Sequence, residues 1–278
     1  MSTPPKLTDR AALLRNRDRA KRQGPELFLH EDAAIELEER LNEVNRTFTQ
    51  PAIVTNFPDP WLAVLPGAKV VADDEMLDLE PGGHDLVVHA MCLHWANDPV
   101  GQIVQAARAL RPDGLFIAVA FGGQTLHELR AVLAEAEASV SGGLSPRVLP
   151  MGEIRDLGAL LQRSGLALPV ADSVQRKVSY ADPLRLLHDL RAMGEGNALD
   201  ARLRRFTPRG VIVEALRRYA ESFAEPEGRV HATFDMVWLT GWKPHESQQK
   251  PLRPGSAIQR LADALNTREL PTGEKPPK

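Results

Sequence analysis

The stretch from residue 84 to residue 121 constrains the fold of this chain most. It contains two near-continuous apolar runs, residues 85–91 (DLVVHAM) and 115–121 (LFIAVAF), in which polar and apolar residues do not alternate. Strands that are covered on both faces have this pattern. Between the runs, residues 99–110 have the periodicity of a helix, and residues 111–114 (RPDG) form a turn that ends it. This order predicts a βαβ crossover between two parallel strands.

Other short apolar runs predict that the sheet extends beyond this crossover. Residues 51–55 (PAIVT) and 68–73 (AKVVAD) predict two further parallel strands, and residues 174–180 and 229–242 predict strands nearer the C-terminus. Segments with helical periodicity alternate with these runs. They lie at residues 31–48, 124–140, 152–164, 183–193 and 208–223. The chain is therefore predicted to be an α/β protein.

Three parts are predicted along the chain. Residues 1–48 form a basic arm and an amphipathic helix, residues 49–242 form an α/β domain with a helical insertion at about 181–225, and residues 243–278 form an extended tail with six prolines. A short helix is expected in the tail at 257–265. Residues 1–30 carry seven basic and three acidic side chains. A solvated first helix is favoured there over a docking surface for an acidic partner or for peripheral contact with lipid headgroups.

Composition excludes several classes of function. Lys and Arg number 34 and Asp and Glu number 37, so the net charge of −3 provides no general field for nucleic acid. The single cysteine, Cys92, allows no intrachain disulfide and no thiolate cluster for zinc. The longest apolar runs are far shorter than the ~20 residues that a transmembrane helix needs. We expect a cytoplasmic protein.

Some chemically capable side chains are expected to have only structural roles. His84, His89 and His94 are spaced by five residues, which places neighbours on opposite faces of a strand, so no metal site is expected. Nothing adjacent in sequence would lower the pKa of Cys92, which is expected to be a buried thiol. Four arginines are expected to be charges on helix surfaces, namely Arg147, Arg155, Arg185 and Arg191.

Several motifs resemble those of a known protein family. The strand beginning at Asp85, the Leu93-His94-Trp95 element after it and the 110–114 turn resemble the central strands of class I S-adenosylmethionine-dependent methyltransferases. The resemblance extends over nearly the whole chain to one branch, the methyltransferase-like complex I assembly factors and their α-proteobacterial relatives, which in turn resemble malonyl-carrier-protein methyltransferases. The stretches that carry it include RNRDRA, FLHEDAA, YADPLRLLHDLRAMGEGNAL and GWKPHESQQKPLRPGSA.

This resemblance implies a fold, a cofactor and a partner. The fold would be Rossmann-like, and a protein partner such as a complex I subunit would be expected. The better-studied members of the branch are associated with hydroxylation, rather than methylation, of an arginine on such a subunit. The implied cofactor is S-adenosylmethionine, and the residues matching its usual contacts are Asp73 and Asp74 near the adenine, Ala90 and Met91 after the next strand, and Trp95.

Part of the usual cofactor site is missing from the sequence. The first strand runs into residues 56–60 (NFPDP), which contain none of the glycines that let backbone amides approach the ligand. Pro51 and Asp85 are 34 residues apart, whereas three strands and two helices with their loops need roughly 55–60 residues. About one βα unit is therefore missing, and at most two strands are predicted between Pro51 and Asp73.

Two classes of function compete on these grounds. One is a transferase with a degenerate site that still binds S-adenosylmethionine, and the other is a non-catalytic pseudo-methyltransferase that acts by protein contact. Losing the glycine-rich turn and the ribose carboxylate removes about 3–9 kcal/mol of binding free energy. The affinity for S-adenosylmethionine is accordingly predicted to be weak or absent.

Overall fold

The computed structural model describes residues 6–44 and 46–248. Met1–His245 form one compact unit, and a second unit, Glu246–Lys278, contributes only residues 246–248 to the description. The predicted helix at 257–265 and most of the predicted tail lie outside the described residues. The division of the chain at residues 48 and 242 stays a prediction.

Helices and strands alternate along most of the chain. The helices are α1 (Arg10–Gln23), α2 (Phe28–Val44), α3 (Asp59–Val64), α4 (Pro99–Ala109), α5 (His127–Ser141), α6 (Ile154–Arg163), α7 (Pro183–Ala192) and α8 (Arg209–Ser222). The strands are β1 (Pro51–Val54), β2 (Lys69–Val71), β3 (His84–Ala90), β4 (Leu110–Gly122), β5 (Ala167–Tyr180) and β6 (Val230–Trp242). A single 3₁₀ turn, Leu93–Trp95, follows β3.

The six strands form one sheet in the order β2-β1-β3-β4-β6-β5. Strands β1 to β4 are mutually parallel, and β6 runs antiparallel to both β4 and β5. The predicted βαβ crossover is confirmed as β3, α4 and β4. Between Pro51 and Asp73 the only strands are β1 and β2, as the short spacing predicted.

Helices cover both faces of the sheet, which explains why its strands are apolar without alternation. On one face Ile53, Leu86 and Val88 pack in a core with residues of α2, α5 and α8. On the other face Val87 and Phe116 pack with residues of α4 and α6. The chain therefore forms the three-layered α/β arrangement that the sequence predicted.

Two predicted boundaries were wrong. The 111–114 turn is not a separate element before β4 but a bulge inside it, because Leu110 pairs with His84 and Leu115 pairs with Leu86. Asp113 in this bulge has φ of +62°. Strand β5 begins at Ala167, seven residues before the predicted start at 174. Its first half was missed because it is an edge strand with exposed residues, such as Val170, and a proline.

The first helix is not a solvated arm. Asp9 caps α1 by accepting a hydrogen bond from the backbone N–H of Ala12 at 3.0 Å. Leu13 is fully buried, and Arg17 is 2% exposed although its side chain is charged. The favoured interpretation of residues 1–30 as a solvated helix was therefore wrong on one side of α1, which packs against the domain.

Candidate functional site

The carboxyl ends of the four parallel strands lie at one edge of the sheet, where ligands bind in open α/β folds. Residues 55–58 follow β1, Asp73 follows β2 by two residues, the Leu93–Trp95 turn follows β3, and Gly123 follows β4. Because β2 pairs directly with β1, Asp73 lies at the end of the strand beside β1. A carboxylate therefore does occupy the place of the ribose-binding acidic residue in the resembled family, contrary to the expectation that it is lost.

The Asp73 carboxylate is held by three side chains. Arg17 donates from Nη1 to both carboxylate oxygens at 2.9 and 3.0 Å, and Arg10 donates through two nitrogens at 3.1 Å each. The side-chain amide of Asn56 donates at 2.6 Å. Arg10 and Arg17 are seven residues apart, about two turns, so that both project from the same face of α1. Asp73 is thus bound by its own chain in charge-assisted hydrogen bonds.

Electrostatics keep this carboxylate ionised. Burial alone would raise the pKa of Asp73, but the charges of Arg17 and Arg10 and their hydrogen bonds outweigh it and hold the pKa below its ordinary value. The side chains of Arg17 and Asp73 are each 3% exposed, so the pair is shielded from water. The arrangement is a buried ion pair that closes this part of the sheet edge.

The turn after β1 is also closed. Phe57 is buried and meets the ring of His30 edge-on, with 5.4 Å between the ring centroids. The backbone of Gly194 also packs closely against this region, because a Cβ on that residue would lie only 3.1 Å from the Arg17 side chain. A bound S-adenosylmethionine needs an accessible carboxylate for its ribose and open backbone amides for its methionine end. The side chains at this edge of the sheet meet neither requirement.

The other residues predicted to contact the cofactor lie in different environments. Asp74 is exposed and lies 3.4 Å from Arg10, close to Asp73. Ala90 and Met91 are buried in the core of the sheet, and Met91 has φ of +53°. Trp95 is buried and lines a cavity that none of the other four residues lines. As cofactor contacts, these five residues stay a prediction.

Trp95 belongs to a hydrogen-bonded group that sequence reasoning missed. Its indole N–H donates to Glu195 Oε2 at 2.7 Å, and His94 Nε2 lies 3.3 Å from the same oxygen. The backbone N–H of Phe121 lies 3.4 Å from the other ring nitrogen, His94 Nδ1. Burial opposes ionisation of Glu195, but His94, Arg17 and Trp95 hold its pKa below the ordinary value. The only sequence signal was a carboxylate between two glycines (GEG) after a helix.

A cavity of about 390 Å³ lies beside Trp95. Its floor includes Trp95 and Phe121, and its walls come from α1, α5, α7, α8 and residues 147–151. Most of the lining side chains are leucines and other apolar groups. Arg147, which was expected to be a helix-surface charge, lies in a loop, lines this cavity and pairs with Glu137 at 2.6 Å. That expectation was wrong.

A second buried polar group has no open access. His89 is fully buried, with Nε2 3.0 Å from Gln102 and Nδ1 3.4 Å from the Cys92 sulfur. Burial lowers the pKa of His89 and raises that of Cys92, so both side chains are neutral. Cys92 is a buried thiol, as predicted. Among residues 6–44 and 46–248, no three His, Cys, Asp or Glu side chains are grouped as metal ligands would be.

No helix among the described residues combines the length and the apolar character needed to cross a membrane. The longest helix, α2, has 17 residues and several glutamates.

Comparison with known proteins identifies the relatives of this chain. Residues 17–118 match a family model described as a methyltransferase domain. The arginine-hydroxylase NDUFAF5, mitochondrial, of Danio rerio is 38% identical over 199 residues, covering 72% of this chain and 62% of that protein. The protein of the same name from Homo sapiens is 37% identical over 212 residues, covering 76% and 61%. The chain is thus similar, over about three quarters of its length, to proteins named arginine-hydroxylase NDUFAF5. Membership of the methyltransferase-like complex I assembly factors, and of their α-proteobacterial branch, stays a prediction.

The likeness extends to further methyltransferases. A malonyl-[acyl-carrier protein] O-methyltransferase of Methylovorus sp. is 33% identical over 175 residues, covering 63% of this chain and 56% of that protein. A solved structure of a didemethyltoxoflavin methyltransferase from Burkholderia thailandensis has a TM-score of 0.43 at 14% identity, covering 88% of this chain and 94% of that one. The chain spans about three fifths of the length of the two NDUFAF5 proteins.

Proposed function

We propose that this chain is a methyltransferase-like complex I assembly factor that acts by binding a protein partner, and that it does so without S-adenosylmethionine. One observation carries the proposal: Asp73, at the end of the strand beside β1, is bound by Arg10, Arg17 and Asn56 of its own chain. The similarity to the NDUFAF5 proteins supports the complex I part of the proposal. The closed sheet edge supports the non-catalytic part.

Energetics favour the closed arrangement over a bound cofactor. Taking one partner from a buried ion pair costs about 3–5 kcal/mol, since the other charge stays buried and unpaired. A hydrogen bond to a charged group contributes about 1.5–3 kcal/mol, so two ribose hydroxyls on Asp73 would regain about 3–6 kcal/mol. Replacing the ion pair by hydrogen bonds to the ribose therefore leaves little net free energy for binding the cofactor. Phe57 also adds bulk where the methionine end would lie.

A second candidate follows from the name of the relatives, arginine hydroxylase. The observation that favours it is that Asp73 already holds guanidinium groups, with Arg10 in the two-pronged geometry typical of arginine and carboxylate. The side chain of Arg10 is 20% exposed and that of Arg17 only 3%. In this alternative, an arginine of a partner protein takes the place of Arg10.

Complementation and mass spectrometry test these functions together. A strain of the source organism without this protein would be supplied with the wild-type chain, and NADH oxidation by complex I would be measured in its membranes. Purified chain would then be incubated with those membranes and S-adenosylmethionine carrying a labelled methyl group. We expect restored complex I and no labelled subunit.

Each other outcome separates the candidates. Transfer of the label to a subunit would contradict the proposal and support a transferase. An arginine with one added oxygen atom, found only when the chain is present, would support the second candidate instead. Failure to restore complex I would contradict the assembly role itself.

The location is a separate proposal. We place the chain in the cytoplasm, and the support is a single buried cysteine that needs no oxidising compartment. Fractionation of the source cells with an antibody to the chain would check this. Recovery from another compartment would contradict it.

A further inference from the structure

Two arginines that line the 390 Å³ cavity have no carboxylate partner among the described residues. Arg19, on α1, donates to the side chain of Asn16 at 3.1 Å, and its buried Nε has no hydrogen-bond partner. Arg191, in the last turn of α7, is exposed and has no ion pair within residues 6–44 and 46–248. Arg147, by contrast, is neutralised by Glu137. A buried N–H without a partner is costly, and the Arg19 side chain lines a space large enough for a ligand.

The surroundings of Arg19 disfavour its positive charge. Burial and the nearby positive charges of Arg191 and Arg22 lower the pKa of Arg19. An anion placed between Arg19 and Arg191 would relieve this repulsion and bond with the free Nε. The carboxylate of Glu195 also lines the cavity, but it is bonded to His94 and Trp95 and would repel an anion from the floor. An anionic group is therefore directed to the arginines and away from the floor.

The rest of the cavity suits an apolar chain. Leu129 and Leu133 of α5, Leu187 and Leu190 of α7, and Phe121 all line it. Burying apolar surface against such walls is favourable by about 25 cal/mol per Å². The volume is at the lower end of the 300–1,000 Å³ that is usual for ligand pockets.

We propose that this cavity binds an amphipathic carboxylate, with an unbranched apolar chain among the leucines and the carboxylate on Arg19 and Arg191. A planar guanidinium such as that of Arg19 carries its donors in a fork that matches a carboxylate. This proposal does not depend on whether the chain uses S-adenosylmethionine. It would hold equally for an enzyme and for a protein that acts by contact.

Calorimetric titration with sodium decanoate tests the proposal. The full chain would be titrated below the concentration at which decanoate forms micelles, with 1-decanol as the uncharged probe. Arg19→Gln removes the charge at the site, and Arg15→Gln removes the same charge from an exposed position on the same helix. We expect saturable binding of decanoate that weakens about 10-fold or more in Arg19→Gln and for decanol, with Arg15→Gln within twofold of wild type.

Further measurements keep the result interpretable. The thermal midpoint of each variant without ligand reports whether it folds, and decanoate should raise the midpoint of wild type more than that of Arg19→Gln. Equal affinity for decanoate and decanol, equal weakening by the two variants, or no saturable binding would overturn the proposal. Vesicles with phosphatidylglycerol form the last arm. If the chain bound these vesicles but not decanoate, and both variants weakened that binding equally, the arginines would be assigned to a lipid surface instead.

Discussion

Asp73 gathers contacts from parts of the chain that lie far apart in sequence. The resemblance to methyltransferases pointed to this residue, but its partners Arg10 and Arg17 lie 63 and 56 residues earlier. Local pattern cannot reveal such a pairing, because charged residues on a helix usually face solvent. Glu195 was missed for the same reason, since it meets His94 across 101 residues.

The ion pair of Asp73 is expected to be a main determinant of stability. Asp73→Asn leaves the buried guanidinium of Arg17 without its charge partner and should lower the free energy of unfolding by about 3 kcal/mol or more. Urea unfolding followed by circular dichroism measures this. The neighbouring Asp74→Asn, at an exposed position, serves as the control and should change the value by less than about 0.5 kcal/mol. Similar small effects of both changes would show that the pair does not hold α1.

Buried His30 should make stability depend on pH. It accepts a hydrogen bond from the indole N–H of Trp61 at 3.2 Å, and burial lowers its pKa to about 4. Between the ordinary value of about 6.5 and this value the unfolded chain binds a proton at His30 and the folded chain does not, so stability falls as pH falls. Across that range His30 should account for up to about 3 kcal/mol.

Urea unfolding at several pH values from 7 to 4 checks this expectation. His30→Gln keeps an acceptor for Trp61 but cannot take up a proton, so its loss of stability towards pH 4 should be smaller than that of wild type. His188→Gln changes an exposed histidine and should follow wild type. A pH dependence in His30→Gln as steep as in wild type would refute the role of His30.

At the scale of the element, α1 is the helix at which the structure differs from the prediction made from the sequence. Its buried side is formed by Ala12, Leu13, Arg17 and Ala20. Because an arginine and two small residues are among the four, no apolar stripe is visible and the sequence favoured a solvated helix. The strands of the parallel sheet, by contrast, were predictable because β-branched runs such as Val87-Val88 are buried on both faces.

The packing of α1 predicts a contrast between two adjacent leucines. Leu13 is fully buried and Leu14 is 40% exposed. Leu13→Ala should lower the free energy of unfolding by about 2–5 kcal/mol, the usual range for a buried leucine, and Leu14→Ala by much less. Hydrogen exchange should also accelerate along α1 in Leu13→Ala. If the two variants were equally stable, α1 would not be packed on the domain as described.

At the scale of the whole molecule, the sequence predicted the layers of the fold better than its edges. The crossover, the parallel strands and the short region before β3 followed from apolar runs and spacing. The first half of β5 did not, because an edge strand pairs on one side only and tolerates Pro169 and exposed Val170. The cavity also escaped prediction, since six separate segments of the chain line it.

The central claim is that α1 and its arginines close the cofactor edge of this methyltransferase fold. Calorimetric titration of the full chain with S-adenosylmethionine and with S-adenosylhomocysteine tests it most directly. We expect no saturable heat, or a Kd of hundreds of micromolar or weaker, because Asp73 is engaged and Phe57 replaces the open turn. A Kd in the low micromolar range for either ligand would contradict the claim and return the chain to the S-adenosylmethionine-dependent transferases.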